Sequence, residues 1–302
     1  MAHDHSHGTA NRKRLIGVIA LVSVTLIVEV VGGIMTGSLA LLADAGHMFS
    51  DLTGLVIALV AMRIALRPAT DRHTWGFQRT EVLAALANGL ILTSVAVSVA
   101  IEGIQRLVDS APAHVSGLPV LIVALIGLVV NAVSLGLLRQ GARHSINMKG
   151  AYLEVFGDLL GSVLVAMSAI VIMTTGFMKA DAIASLLIAA GILPRAAVLL
   201  RDVWRVLNES TPAGTDVELI REHVRDAPGV VGVHDVHVWS ITSGQSVFTA
   251  HVIVRREVFE EGRVGELLDH LTSCLADHFD VDHSTFQLEP ARHSDTETIA
   301  HS

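Results

Sequence analysis

The sequence predicts an all-α six-helix transmembrane bundle followed by a small cytoplasmic α+β domain of the ferredoxin-like, metallochaperone-like kind. Three observations carry this expectation: a composition too apolar for a soluble chain, six apolar runs of spanning length, and an abrupt change to a mixed, charged pattern after Asn208. Of 302 residues, 51% are hydrophobic and 17% charged, with a mean hydropathy of +0.57. Soluble domains carry about 25% charged residues. A helix needs roughly 20 apolar residues to cross a hydrocarbon core of about 30 Å.

The six runs fall at residues 15–36, 38–64, 81–106, 117–138, 150–174 and 181–200. The first follows Arg12, Lys13 and Arg14 as a secretion signal would, but it is too long for a signal core and is broken by Glu29, so it reads as a retained helix. An even number of spans puts both chain ends on one side. Basic residues choose the side: Arg12, Lys13 and Arg14, then Arg67, Arg72 and Arg79, then Arg139, Arg143 and Lys149, then Arg201 and Arg205 fall on alternate connections, against Arg106 and Lys179 on the others. The positive-inside rule makes the first set, and both termini, cytoplasmic.

Residues 1–14 are expected to be a flexible histidine-containing tail, 15–207 the membrane domain, 208–290 the soluble domain and 291–302 a disordered tail. Within the soluble part, Thr215-Asp-Val-Glu218 is a capping-box pattern opening a short helix. Runs 230–241 and 246–254 are rich in β-branched residues and flank Thr242-Ser243-Gly244-Gln245, a hairpin signal. Residues 260–279 have helical apolar spacing through Val264, Leu267, Leu268, Leu271 and Leu275, and 284–288 reads as a last strand. The net charge of -8 argues against a nucleic-acid partner. A single cysteine, Cys274, excludes an internal disulfide framework.

Ionisable side chains inside a span cost a few kcal/mol each, so their clustering there is a functional signal. On the second span, His47 and Asp51 are four residues apart; on the fifth, Glu154 and Asp158 repeat the spacing. Side chains at i and i+4 share a helix face. The segments His47-Met-Phe-Ser-Asp-Leu-Thr-Gly54 and Glu154-Val-Phe-Gly-Asp-Leu-Leu-Gly161 also follow one pattern. Two helices each presenting such a pair can close a tetrahedral site of one nitrogen and three oxygens, within the range zinc accepts. Gly46, Gly54, Gly157 and Gly161 allow close helix approach. The competing reading of these groups is interhelical hydrogen-bonded glue. Asp44, Glu29, Asn88 and Asn131 are further polar positions that either line a pathway or pack helices together.

The chain resembles the cation diffusion facilitator family, and within it zinc exporters with a His-x-x-x-Asp pair on the second span. The segments that carry the resemblance are Ser38-Leu-Ala-Leu-Leu-Ala-Asp-Ala-Gly-His-Met-Phe-Ser-Asp51, Trp75-Gly-Phe-Gln-Arg-Thr-Glu81, Asn147-Met-Lys-Gly-Ala-Tyr-Leu-Glu-Val-Phe-Gly-Asp-Leu-Leu-Gly-Ser162 and Val233-His-Asp-Val-His-Val-Trp-Ser-Ile241. It implies a homodimer that exports divalent transition metals, zinc first, from the cytoplasm in exchange for protons by alternating access, with His47, Asp51, Glu154 and Asp158 as the transport site. Such exporters usually carry histidine where this chain has Glu154, and the extra carboxylate hardens the site toward manganese, iron, cobalt or cadmium.

The resemblance also favours His234, His251 and Glu289, with His283 nearby, as ligands for zinc or another divalent metal in a regulatory role in the soluble domain. Strand alternation puts His234 and His237 on opposite faces unless the strand is irregular. His3, His5 and His7 form a tract that either binds metal loosely or is a solvated tail. No metal or organic group is expected as a catalyst. An intramembrane metallohydrolase lacks its signature here, having no His-Glu-x-x-His, and a membrane-anchored sensor gives no reason for paired ligands in two spans. The short loops point to a bacterial inner membrane.

Overall fold

The computed structural model describes residues 4–109, 114–139, 146–242, 244–279 and 281–290. Six long helices come first: α1 (Asp4–Thr36), α2 (Leu39–Ala65), α3 (Arg79–Val108), α4 (Gly117–Leu138), α5 (Ile146–Thr175) and α6 (Lys179–Leu207). Each contains a stretch long and apolar enough to cross a membrane. The expected runs are all present; α4 coincides with its run, α2 is shifted by one residue, and α1, α3, α5 and α6 outlast theirs. The apolar run of α1 begins at Leu15, but the helix itself starts at Asp4, and α6 continues to Leu207 rather than ending near Leu200. Hydropathy marks where the bilayer ends; the backbone keeps its helical bonds through any polar residue with adequate propensity. His5 and His7 thus fall on α1, while His3 and the expected tail 291–302 lie outside the described residues.

The chain divides into two compact units, residues 1–57 with 86–199 and residues 58–85 with 200–302. In the first, Leu41, Ala43, Leu92, Ala96, Val120, Ala124, Val165, Ala169, Ile188 and Ala189 form a buried core drawn from five helices. The buried residues of α4 are Val120, Ala124, Gly127, Asn131, Ser134 and Leu138, spaced by three and four. That stripe packs against α1 and α5, and its small members let the helices come close. Large apolar side chains such as Val24, Ile27, Ile34, Ile122 and Val129 point outward, where a bilayer accepts them.

At one end of this unit, α2 is capped by α6. Asp181 accepts hydrogen bonds from Ser38 Oγ at 2.5 Å, Leu39 N at 2.6 Å and Ala40 N at 3.4 Å. These amides would otherwise be unpaired donors at a buried helix start. Arg106 lies 3.9 Å from the same carboxylate and donates to the Gly37 carbonyl at 2.7 Å, and Lys179 Nζ donates to the Leu107 carbonyl at 2.6 Å. Gly37 turns the chain at φ +71. The two basic residues of this side are therefore committed to closing helix ends.

In the second unit, α7 (Val217–Arg225) precedes β1 (Val230–Thr242), β2 (Gln245–Val254), a short α8 (Arg256–Glu260), α9 (Val264–Phe279) and β3 (Val281–Pro290). Asp216 caps α7 by accepting from Glu218 N and Leu219 N. This is half of the expected capping box, shifted one residue from Thr215. β1 and β2 are an antiparallel hairpin through Gly244 at φ +78, and β3 joins β2 in parallel after the α9 crossover, giving the order β1-β2-β3. Ile220, Val224, Phe248, Val252, Leu267, Leu271 and Leu275 fill the core between helices and sheet. The arrangement is the ferredoxin-like α+β pattern without a strand before α7 among the described residues. In the same unit, Thr242 Oγ1 bonds Glu81 Oε2 at 3.2 Å and Arg79 pairs with Glu209 at 2.9 Å.

Replacing Asp181 by Ala strips the α2 cap and leaves Arg106 paired with Glu102 alone. The expected loss is about 1–2 kcal/mol, the size of a strong N-cap, read as a lower thermal midpoint of the detergent-solubilised protein; an unchanged midpoint would show that the cap contributes nothing.

Candidate metal centres

The i, i+4 spacing on α2 and the position of α5 beside it bring His47, Asp51 and Asp158 together. One ligand atom from each lies within 4.8 Å of the others. His47 Nδ1 is 3.5 Å from Asp51 Oδ2, and His47 Nε2 is 3.9 Å from Asp158 Oδ1. His47 and Asp158 are buried, at 6% and 3% exposure. His47 Nδ1, Asp51 Oδ2 and Asp158 Oδ1 are shut off from solvent without a hydrogen bond. Leaving such atoms unsatisfied costs about 1–3 kcal/mol each, so the cluster is shaped for something other than packing. Its donors, one imidazole nitrogen and carboxylate oxygens, suit a borderline divalent cation.

Glu154, the fourth expected ligand, is half-buried and outside the tight group. Its carboxyl instead meets that of Asp51 by a side-chain hydrogen bond. It therefore stands at the margin of the cluster, one helical turn before Asp158. The site also contains a residue that sequence reasoning missed. Arg195 of α6 places Nη1 3.2 Å from His47 Nε2. Its position in an apolar run, directly after Pro194, was the available signal.

A second buried polar group adjoins the first. Asp44 and Glu29 are 2% and 1% exposed. Asp44 lies against the backbone of Gly161, where a Cβ would collide with its carboxylate, and Ser162 hydrogen-bonds it. Asn131 Nδ2 donates to Ser162 Oγ at 3.3 Å, and Gly127 makes room for Glu29 Oε1. Asn88 sits in the space left by Gly54 and is 3.5 Å from Ser50 Oγ. Asn88 and Asn131 thus join helices through hydrogen bonds, and two of the four glycines singled out in the sequence give way to polar side chains of a neighbouring helix.

In the soluble domain, His234, His251 and Glu289 bring one ligand atom each within 4.8 Å of the others. Register explains it: His234 pairs with His251 across β1 and β2, and Glu289 is at the end of β3 beside Ile253. His251 Nδ1 is 3.0 Å and His234 Nε2 3.3 Å from the buried Glu289 carboxylate. β1 is irregular between His234 and His237, with Asp235 at φ +52. This bulge, one of the few devices that turn a strand side chain out of alternation, brings Asp235 within 3.1 Å of His237 Nε2 and 3.8 Å of His251 Nε2. Asp235 was not foreseen. His283, expected nearby, is a correction: it pairs with Val247, four residues before His251 on β2, and its ring stands edge-on to Trp75 at 4.8 Å. Strand rise of about 3.3 Å per residue separates it from the group.

Six membrane-length helices define a multi-pass membrane protein. Residues 15–207 match the family model described as the cation efflux transmembrane domain, and residues 212–291 that described as the cation efflux protein, cytoplasmic domain. The chain is 42% identical over 289 residues to the metal cation efflux system protein CzcD of Cupriavidus metallidurans, covering 96% of this chain and 90% of that one. It is 38% identical over 304 residues to the zinc transporter ZitB of Pectobacterium atrosepticum, covering 100% and 93%. A cadmium, cobalt and zinc/H(+)-K(+) antiporter of Bacillus velezensis is 35% identical over 304 residues, covering 99% and 95%. The chain belongs to the cation efflux family of membrane transporters.

Proposed function

We propose that the protein exports divalent transition-metal cations, zinc first, from the cytoplasm in exchange for protons by alternating access. The observation that carries this reading is the group of His47, Asp51 and Asp158 on two packed spanning helices, with buried ligand atoms that make no hydrogen bond. Names of relatives that include zinc, cadmium, cobalt and a proton support it. In this reading the ion is the cargo, held by one nitrogen of His47 and oxygens of Asp51 and Asp158, with Glu154 joining from the margin. Carboxylates and imidazole bind a cation only after shedding protons. Protonation of the ligands on the outer side therefore expels the metal, and deprotonation on the inner side readies the site. No covalent step is involved.

The same reading places the protein as a homodimer in a bacterial inner membrane with both termini cytoplasmic, the side on which basic connections concentrate. His234, His251 and Glu289 form a regulatory metal site in the soluble domain, and Asp235 is a candidate fourth ligand from the bulge. The domain boundaries at about residues 14, 207 and 290 belong to this reading too, consistent with the matched segments.

Three experiments test it. In inverted vesicles with an imposed pH gradient, Asp51→Ala and Asp158→Ala are expected to abolish zinc uptake while the protein still elutes as a folded species, because each removes an oxygen ligand; undiminished flux in either sinks the assignment. Glu154→His replaces a hard ligand by a borderline one and is expected to raise the ratio of zinc to manganese flux, and a constant ratio would leave Glu154 out of selectivity. His251→Ala is expected to lower zinc bound at equilibrium by one ion per chain, with the Asp51-dependent flux retained in vesicles; unaltered stoichiometry removes the soluble site.

A further inference from the structure

Arg195 is a cation placed where the cargo binds. It lies twelve residues before the end of α6 at Leu207, about 18 Å along the helix at 1.5 Å per residue. A basic side chain in a span ordinarily turns toward water or a counter-ion. This one reaches the imidazole of His47, with Nη1 at 3.2 Å from Nε2, and it acts electrostatically on Asp51 and Asp158 as well. It also packs beside Gly157, between Glu154 and Asp158, where a Cβ would lie in ordinary contact with Arg195 Nη1 at 3.7 Å. A guanidinium has only donors, so the contact uses the Nε2 lone pair, and Nε2 is the His47 atom facing Asp158. That lone pair is what a metal shared by His47 and Asp158 needs.

We infer that Arg195 is a tethered competitor of the cargo: it holds His47 Nε2 in the metal-free carrier, and a metal ion loads by displacing it onto the neighbouring carboxylates. Charge and helix chemistry both fit. The ionised carboxylates of Asp51, Glu154 and Asp158 exceed the charge of a divalent ion by one, and the displaced arginine balances that excess. Pro194, immediately before it, has no N–H to give the Ala190 carbonyl, so α6 lacks a backbone bond beside the residue that must move. The arginine thus sets affinity, by competing for the His47 lone pair, and supplies a countercharge to whichever carboxylates stay ionised in the empty carrier.

This rests on the transport site proposed above, and the test separates the two. Full-length protein in detergent and in proteoliposomes is compared as wild type, Arg195→Gln, Arg195→Met, Arg195→Lys and Asp51→Ala at one pH. The membrane site's cadmium binding is taken as the part lost in Asp51→Ala. If the arginine fills the site about nine-tenths of the time, its removal tightens apparent binding about tenfold, since apparent affinity scales with the competent fraction. Both neutral variants are expected to show this, with net zinc flux falling while zinc–zinc exchange persists, and Arg195→Lys is expected to restore net flux toward wild type. Weaker binding in both neutral variants, or unchanged binding with unchanged net flux, overturns the inference while leaving the site. Full cadmium binding in Asp51→Ala overturns the site itself and the inference with it.

Discussion

Everything in the membrane unit follows from keeping a histidine and several carboxylates inside an apolar bundle. Each such group costs a few kcal/mol to bury, and the bundle contains not only His47, Asp51 and Asp158 but also Glu29, Asp44 and Asp181 below 10% exposure. Their placement is orderly. Asp181 is answered by two backbone amides, a hydroxyl and an arginine, and becomes a cap. Asp44 is answered by Ser162 and Glu29 lies beside Gly127, so they tie α1, α2, α4 and α5 together. His47, Asp51 and Asp158 retain atoms that no hydrogen bond answers. Asp181 is answered at both oxygens, whereas Glu29 Oε2 and Asp44 Oδ2 share with the central group a buried atom that no hydrogen bond answers, so the unsatisfied polar region extends from His47, Asp51 and Asp158 to these neighbours.

The soluble domain obeys different physics. Its core of Phe248, Leu271, Leu275 and their neighbours is an ordinary helix-on-sheet interior, and its polar group sits on the strands rather than in a bundle. Glu289 is 1% exposed and answered from two directions by His234 and His251. What gives the group its shape is backbone irregularity. Asp235 in the left-handed region, uncommon for a residue with a Cβ though tolerated by aspartate, re-aims one carboxylate at the two histidines that follow or face it. Such local strain is concentrated where side chains must converge.

Much of this was legible in the sequence, for identifiable reasons. Spans announce themselves by hydropathy because the bilayer leaves the backbone no alternative to a helix, and the pairs His47/Asp51 and Glu154/Asp158 are visible because i, i+4 spacing fixes a face without tertiary information. What failed needed distances between elements. His283 looks equivalent to Glu289 until the parallel register places it beside Val247. Asp235 sits in a segment whose alternation gives no hint of a bulge, and Glu154 was counted an equal ligand although α5 holds it a turn from the centre. Arg195 has no place in the spacing argument, because the direction in which a long side chain turns is not written in hydropathy.

The two departures from simple expectation, an extra carboxylate and an unforeseen arginine, belong together. Glu154 adds a negative charge to a site that already has Asp51 and Asp158, and in low dielectric like charges a few ångströms apart repel strongly. A bundle accepts that third carboxyl when it shares a proton with a neighbour, as Glu154 and Asp51 do, or when a cation accompanies it, and a cation fixed in place would also repel a divalent ion. A guanidinium on a flexible stem meets both demands, because the contact with His47 Nε2 is a single hydrogen bond that can be exchanged for a carboxylate within the same cluster. On the proposed reading, selectivity and turnover are linked: the charge that Glu154 adds is balanced by the reach of Arg195 from α6.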